Sequence, residues 1–155
     1  MNINGIIDLF SSGVAAHPAL TTWANTTYGR SHKIFVNFDK RNPPGEAECP
    51  FVVIYPMSKT AGISVGEKKH AFEVDCCIYD ESTRSTGQII EYNSVRRIEE
   101  MRKLVENVLV ATDLGNALMQ TVDIEYDVIE SFPFAWAGMV IEISELFTLG
   151  SDPLE

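Results

Sequence analysis

One short string in the sequence has the spacing of a catalytic motif. Residues 62–66 read GISVG and match the GxSxG pattern of serine hydrolases, with Ser64 at the position of the nucleophile. That nucleophile needs a strand before it, a helix after it, and an acid and then a histidine further along the chain. The residues that follow, EKKHAFEV, favour a strand. Glu67 is the only acid between Ser64 and His70, which is the last histidine. The context therefore favours a glycine-containing loop between two strands, and we expect no enzymatic activity.

The histidines and cysteines do not have the spacing of a metal site. The three histidines, at positions 17, 32 and 70, are far apart and form no HxH or HExxH pairing. The cysteines are Cys49, Cys76 and Cys77; their number is odd, and none form a CxxC pair. This pattern favours buried thiols in a reducing cytoplasm over disulfides. We therefore expect neither a metal nor any other cofactor.

An acidic row follows one side of the segment 121–130, which reads TVDIEYDVIE. Asp123, Glu125 and Asp127 alternate with apolar residues, as in a strand that has one polar side. Carboxylates suit Mg²⁺ or Ca²⁺, but neighbours on one side of a strand lie about 7 Å apart, too far to share an ion without other ligands. A strand side exposed to water is the simplest explanation. The alternative is that these three residues line a channel or meet another subunit.

The charge of the chain is divided unevenly along its length. There are 22 acidic and 12 basic residues, and from Leu104 onward the chain contains ten acids but no Lys or Arg, so the net charge of -10 arises there. A field of one sign suggests a basic partner or a passage. It disfavours tight binding of nucleic acid, which needs clustered cations, but it lets DNA pass without binding.

The basic residues in the earlier part of the chain offer a counter-surface for a neighbouring copy. If identical subunits meet side by side, the acidic third of one could face the basic region of the next. Such a head-to-tail contact can close into a ring. The candidate residues for the basic surface are Lys68, Lys69, Arg84, Arg96 and Arg97.

The start of the chain has the pattern of two helices. Apolar residues recur at helical spacing between Ile3 and Phe10, and Gly13 is expected to end this first helix. A second, shorter helix begins near Pro18, because proline fits a first helical turn, and stops at Gly29.

Strand patterns follow the two helices. KIFVNFD is expected to place Ile34, Val36 and Phe38 on one side, FVVIYP reads as a buried strand, and HAFEVDCCIYDE alternates with Cys77 facing outward. The next stretch, STRSTGQ, reads as a polar loop.

The longest helix comes next, and two strands close the chain. Asn93 or Ser94 can cap this helix, whose inner stripe is expected to start at Val95, and whose outer face pairs Arg96 with Glu100. A second outer pair joins residues 99 and 103. VDIEYDVI and FAWAGMVIEISELFTL then read as strands.

This order of elements predicts an α+β fold. We expect a mainly antiparallel sheet, a long helix packed on one face, and a helical N-terminal entry. Residues 1–150 are expected to form a single domain, and residues 151–155 a frayed tail. No apolar stretch approaches the roughly 18 residues that a membrane span requires.

The elements together resemble a known family. The helical entry NINGIIDLF, the strands KIFVNF, PFVVIY and HAFEVDCCIYD, the helix NSVRRIEEMRKLVENVL and the closing strands VDIEYDVI and MVIEISELF are similar in order, length and character to those of the tail terminator family of long-tailed bacteriophages, including prophage copies. The resemblance spans nearly the whole chain and points to a prophage-encoded member. It implies a structural subunit without catalytic residues that forms a hexameric ring and caps the tail tube.

The same resemblance implies partners and a location. Besides other copies of the chain, the partners would be the tail tube protein and a head-tail joining protein, while DNA passes through the ring without specific binding. The protein would occur in the bacterial cytoplasm and, once assembled, in the virion, with no membrane contact.

An alternative function remains open from the sequence. A cytoplasmic adaptor or small-ligand-binding α+β domain would act as a monomer or dimer. Its recognition patch would be the aromatic cluster of Phe132, Phe134 and Trp136 beside Pro133, although aromatic residues beside a turn more often pack in a core or an interface.

Overall fold

The computed structural model describes residues 2–60 and 67–146, and its architecture is α+β, as predicted. The helices are α1 (Ile3–Ala16), α2 (Pro18–Tyr28) and α3 (Ser94–Ala111). The strands are β1 (Lys33–Val36), β2 (Phe51–Thr60), β3 (Glu67–Tyr79), β4 (Thr83–Thr86), β5 (Ile89–Tyr92), β6 (Ala117–Asp127) and β7 (Phe134–Leu146).

Five of the strands form one mainly antiparallel sheet in the order β1-β2-β3-β7-β6. The pairs β2–β3, β3–β7 and β7–β6 are antiparallel, whereas β1 pairs with β2 in parallel. This parallel pair is compatible with the predicted mainly antiparallel sheet. Its physical reason is the long segment 37–50, which is long enough to bring the chain back to the start of the next strand.

The helices cover one face of the sheet and form the main core with it. α1 buries Ile6, Phe10 and Val14 at helical spacing. The ring of Phe10 meets that of Phe72 on β3 edge to face, with 5.9 Å between centroids. Gly13 lies where α1 crosses α3, and an added Cβ there would stand 3.3 Å from Val108 Cγ1. The prediction that Gly13 ends α1 was therefore wrong, because this glycine serves helix packing.

The second helix has the predicted ends. The ring Nδ1 of His17 accepts a hydrogen bond from the N–H of Leu20 at 3.2 Å and so caps the start, directly before Pro18. Gly29 ends the helix in the left-handed conformation, at φ 70°.

The long helix α3 carries the predicted apolar stripe, with two exceptions. Val95 is 49% exposed instead of buried, because it lies in the first turn, beyond the edge of the core. Arg102, by contrast, is buried. The expected pair between Arg96 and Glu100 was also wrong as the main contact, because the Arg96 guanidinium donates to Glu91 on β5.

Residues 2–60 and 67–146 cover the opposite face of the sheet only in part. Segment 37–50 lies over the end formed by the first half of β2 and the adjacent part of β3, where a second, smaller core contains Phe51, Val53 and Cys77. The prediction that Cys77 faces outward was wrong for this reason. The rings of Phe38 and Trp136 also pack on this cluster.

The first strand ends earlier than predicted, and this changes which residues share a side. Asn37 has a positive φ of 63°, which breaks the alternation after Val36. Ile34 packs against the main core, Val36 is 53% exposed, and Phe38 stacks on Trp136 on the other side of the sheet. The predicted common face of Ile34, Val36 and Phe38 was therefore wrong.

A β-hairpin replaces the predicted polar loop between β3 and α3. β4 and β5 pair with each other, from Thr83 opposite Tyr92 to Thr86 opposite Ile89, and form a separate two-stranded sheet. Gly87, at φ 61°, supplies the positive φ that a two-residue turn of this kind requires. We call this hairpin, residues 83–92, the arm.

Candidate functional site: an acidic sheet face

Four carboxylates lie in two rows on the half of the second sheet face that no described segment covers. In one row, Asp75 on β3 and Glu125 on β6 lie on either side of Gly138 on β7. In the next row, Glu73 and Asp123 flank residue 140 in the same way. Adjacent strands are about 4.8 Å apart, so each row spans about 10 Å. We call these four residues, 73, 75, 123 and 125, the acidic face.

A β-bulge in β6 aligns two of the four carboxylates. The register of β6 on β7 shifts between Thr121 and Asp123, which leaves Val122 as the extra residue, 49% exposed. Beyond the bulge, Asp123 and Glu125 point away from the helices. The Oδ1 atom of Asp123 also accepts the N–H of Ile124 at 3.0 Å. Asp123 and Glu125 thus lie on one side of β6, by way of a bulge that the sequence did not reveal. Their place in a lumen or a subunit interface stays a prediction.

Gly138 makes room for the carboxylates at the centre of the face. A Cβ added to Gly138 would lie 2.8 Å from Asp75 Oδ1 and 3.5 Å from Glu73 Oε1. Both side chains therefore lie over the backbone of β7, beside a shallow cavity of about 260 Å³ that Asp123 and Glu125 line from the other side. A glycine within a strand is a recognised sign of such a close approach.

The crowding changes the protonation of Asp75. Burial, together with the neighbouring Glu73 carboxylate, raises the pKa of Asp75 to about 7. The hydroxyl of Tyr55 on β2 donates to Asp75 Oδ2 at 3.4 Å. Burial and the neighbouring Asp75 carboxylate raise the pKa of Tyr55 above its usual value. The acidic face therefore gains or loses charge close to neutral pH.

The third residue of the predicted acidic row has a different role. Asp127 lies at the end of β6, where its carboxylate accepts hydrogen bonds from the hydroxyl and the N–H of Ser131 and from the N–H of Glu130. The Ser131 hydroxyl is the main cause of the lowered pKa of Asp127. Asp127 thus holds the turn that leads into β7 and does not belong to the four-residue cluster.

The five candidate cations of the basic counter-surface lie in two separate places. At the start of β3, Lys69 pairs with Glu142 on β7 at 3.3 Å and with Glu67 at 3.6 Å. Hydrogen bonding to Glu142 raises the pKa of Lys69. Lys68, next to it, also interacts within the chain.

The other three candidate cations surround the base of the arm. Arg84 and Arg96 share the carboxylate of Glu91, and Arg97 pairs with the buried Asp80 at 2.5 Å. These arginines thus hold the arm against α3 in the isolated subunit. A contact between any of the five cations and a neighbouring copy stays a prediction.

The remaining candidates from the sequence do not converge on a site. Ser64 and its GxSxG motif lie outside the described residues. His70 is fully buried, its two ring nitrogens have no hydrogen-bond partner among the described residues, and burial lowers its pKa. Among residues 2–60 and 67–146, no three His, Cys, Asp or Glu side chains are placed to hold a metal ion. No described helix is both long and apolar enough to cross a membrane.

The aromatic cluster proposed as a recognition patch is divided between two places. Phe134 and Trp136 pack on the smaller core. Phe132 is 42% exposed and meets the ring of Tyr92 at the base of the arm, with 5.2 Å between centroids. The three residues therefore do not present one continuous surface.

Two members of the acidic face, Glu73 and Asp75, were not among the candidates from the sequence. The alternation of β3 already pointed them outward, and Gly138 signalled a close approach on β7. What the sequence lacked was the strand order that brings β3 and β6 to either side of β7.

Comparison with known proteins gives little guidance. No protein-family model matches the sequence, and no curated protein sequence matches it. Among solved structures, a similar chain occurs in the "Virion of native gene transfer agent (GTA) particle", with a TM-score of 0.49 and 10% sequence identity. The alignment covers 87% of this chain and 90% of that chain. At this score the likeness carries no argument about the function of the present protein.

Proposed function

We propose that the protein is a structural subunit of a phage-type virion, a tail terminator that forms a hexameric ring and caps the tail tube. The observation that carries this proposal is the acidic face, a sheet surface on which four carboxylates meet around Gly138. Neither β6 nor β7 contains a Lys or Arg. Such a concentration of one charge suits a surface that faces DNA without binding it.

The layered fold supports this role. α1 and α3 cover one side of the sheet, and the acidic face lies on the other. In a ring whose subunits direct their sheets inward, the helices would form the outer wall and the carboxylates would line the passage. A passage of the same sign as phosphate lets DNA slide, whereas a basic one would hold it. The two rims of the ring would then meet the tube protein and the head-tail joining protein.

The first test is the mass of the purified protein in solution. Native mass spectrometry over a range of protein concentrations is expected to find a species of six copies, and negative-stain images are expected to show an open centre. A monomer or dimer at every concentration, with tubes also left uncapped after addition of the protein, would contradict the proposal. That result would favour the adaptor function instead.

A charge reversal tests whether the acidic face lines the passage. Glu125→Lys is expected to leave the ring intact and to make it retain double-stranded DNA that the parent ring does not retain, measured by fluorescence anisotropy at low and high salt. The matched control is Glu130→Lys, the same change at an exposed position outside the acidic face. If Glu125→Lys abolishes the ring and Glu130→Lys does not, the acidic face is a subunit contact and the passage is lined by something else.

A further inference from the structure

Two carboxyl groups of the acidic face converge on one point of the sheet. Asp75 and Glu73 are two residues apart on β3, and side chains at this spacing ordinarily stand about 7 Å apart. Here Asp75 Oδ1 and Glu73 Oε1 lie 2.8 Å and 3.5 Å from the one position that a Cβ of Gly138 would take. Because Gly138 has no side chain, the two carboxyl groups lean together over β7 and come into hydrogen-bonding contact.

This contact requires a proton. An ionised carboxylate can only accept a hydrogen bond, so two carboxyl groups bond to each other only when one of them is protonated. Two negative charges at such a short separation also repel, and paired carboxyl groups relieve the repulsion by keeping one proton between them. Burial and the charge of Glu73 both raise the pKa of Asp75. The geometry and the electrostatics therefore both favour a pair that holds one proton.

The hydroxyl of Tyr55 contacts the pair from the neighbouring strand. It donates to Asp75 Oδ2 at 3.4 Å and also hydrogen-bonds with Glu73. Burial, together with Asp75 and Glu73, raises the pKa of Tyr55 above its usual value, so the phenol keeps its proton while Asp75 titrates. A hydrogen bond donated to a carboxylate favours the ionised form, and Tyr55 accordingly lowers the pKa of Asp75. Tyr55 and Glu73 thus act on Asp75 with opposite sign.

Charged and titratable groups from three other places face this pair. Lys40, in the segment that precedes β2, lowers the pKa of Asp75, but by less than burial raises it. Asp123 and Glu125, on β6, add negative charge from the other side of β7. Cys77, two residues along β3, is a buried thiol whose pKa is raised by burial. The balance of these groups favours retention of the proton.

We infer that Asp75 and Glu73 share one proton and work as a switch that sets the charge of the acidic face. With the proton in place, the pair carries one negative charge, and after its loss the pair carries two. Because the pKa of Asp75 is raised from 3.8 to about 7, the singly charged pair prevails below neutral pH and the doubly charged pair above it. The acidic face therefore gains one negative charge per subunit as the pH rises through this range.

In a ring, the switch would act on every subunit that lines the passage. This consequence rests on the proposed function. A passage with fewer negative charges repels phosphate less, so DNA would leave it less readily at mildly acidic pH than above neutral pH. The pair itself lies within one chain, so the shared proton is expected in a monomer as well as in a ring. Its test is therefore independent of assembly.

Infrared spectroscopy of the purified protein, titrated from about pH 4 to about pH 9, tests the shared proton. A protonated carboxyl group and a carboxylate absorb at different frequencies, and carbon-13 labelling of aspartate separates its bands from those of glutamate. The parent is expected to lose one protonated carboxyl group per chain with a midpoint near pH 7. Asp75→Asn is expected to lose this step.

Two variants are expected to move the midpoint in opposite directions. Glu73→Gln is expected to lower it by about one pH unit, since the like charge is gone and the new amide can donate to Asp75. Tyr55→Phe is expected to raise it, because only the hydroxyl that favours the ionised form is removed. The matched control is Glu130→Gln, the same change at an exposed position outside the acidic face, which is expected to leave the midpoint where it is.

Three results would overturn the inference. A parent without a step near neutral pH would show that the two carboxyl groups share no proton. A midpoint that Glu73→Gln leaves unchanged would show that burial alone holds the proton on Asp75. A midpoint lowered by Tyr55→Phe would contradict the opposing action of the hydroxyl. Circular dichroism at each pH establishes that the parent and the variants are folded. A parent that shows the step but forms no ring would contradict the proposed function and leave the inference in place.

Discussion

Replacing Asp75 by Asn tests whether crowding on the acidic face makes the charge of this one carboxylate unfavourable. The Asp75 carboxylate is crowded by Glu73, lies over Gly138, and has a pKa of about 7 in the folded protein instead of 3.8. Asn has nearly the same shape and keeps an oxygen that can accept from the Tyr55 hydroxyl, but it cannot ionise. The variant therefore removes the charge and retains the packing.

The sign and size of the effect follow from the raised pKa. The folded protein binds the proton more tightly than the unfolded chain, so Asp75 lowers stability progressively as the pH rises from about 4 to about 7, and the cost then levels off. One pKa unit corresponds to about 1.4 kcal/mol, which sets a ceiling of about 4 kcal/mol. Because the side chain is partly exposed, we expect Asp75→Asn to stabilise the protein by about 1–3 kcal/mol above neutral pH.

Urea unfolding followed by tryptophan fluorescence measures this effect, at a fixed protein concentration. The free energy of unfolding of Asp75→Asn is expected to exceed that of the parent at about pH 8 and to match it near pH 4. Asp123→Asn, which removes an exposed carboxylate from the same face, is the control and is expected to change stability by no more than about 0.5 kcal/mol. An Asp75→Asn variant equal to or less stable than the parent at about pH 8 would refute the reasoning.

Two further predictions concern the core that supports the acidic face. Arg102→Met is expected to destabilise the protein by about 2–4 kcal/mol, because the buried guanidinium pairs with Glu99 at 2.7 Å and Glu106 at 2.6 Å. Urea unfolding checks this, and a loss below about 0.5 kcal/mol would contradict it. Phe72→Ala is expected to cost about 3–5 kcal/mol through the cavity left beside Phe10. A melting temperature equal to that of the parent would contradict that packing.

The elements that the sequence predicted well are those whose own periodicity decides their structure. α1, α3 and β3 each repeat apolar residues at the spacing of their element, and each was placed in the correct order. The cap at Gly29 was also predictable, because only a residue tolerant of positive φ fits there. The fold class followed from this order of elements.

The arm could not be predicted from local pattern. β4 reads TRST, without the apolar alternation that signals a buried strand, because all four residues are exposed. Its pairing depends on Gly87 and on contacts at its base with Ser82 and Phe132. A strand stabilised in this way gives only a weak signal in sequence.

Only two of the four residues of the acidic face were predicted from the sequence. The row on β6 was visible as an alternation, but Glu73 and Asp75 join it only because β7 lies between β3 and β6. Strand order is a long-range property that hydrophobic periodicity does not encode. The raised pKa of Asp75 has the same origin, since it arises from burial and the neighbouring Glu73 carboxylate in the assembled sheet.

The central claim is that copies of this chain form a closed ring with the acidic face directed to an open centre. Cryo-electron microscopy of the purified oligomer, at a resolution that separates helices from sheets, tests it most directly. The account predicts six-fold averages with α3 on the outer wall and β3, β7 and β6 around the passage. Sheets on the outer wall, a filled centre, or particles of only one or two copies would contradict it.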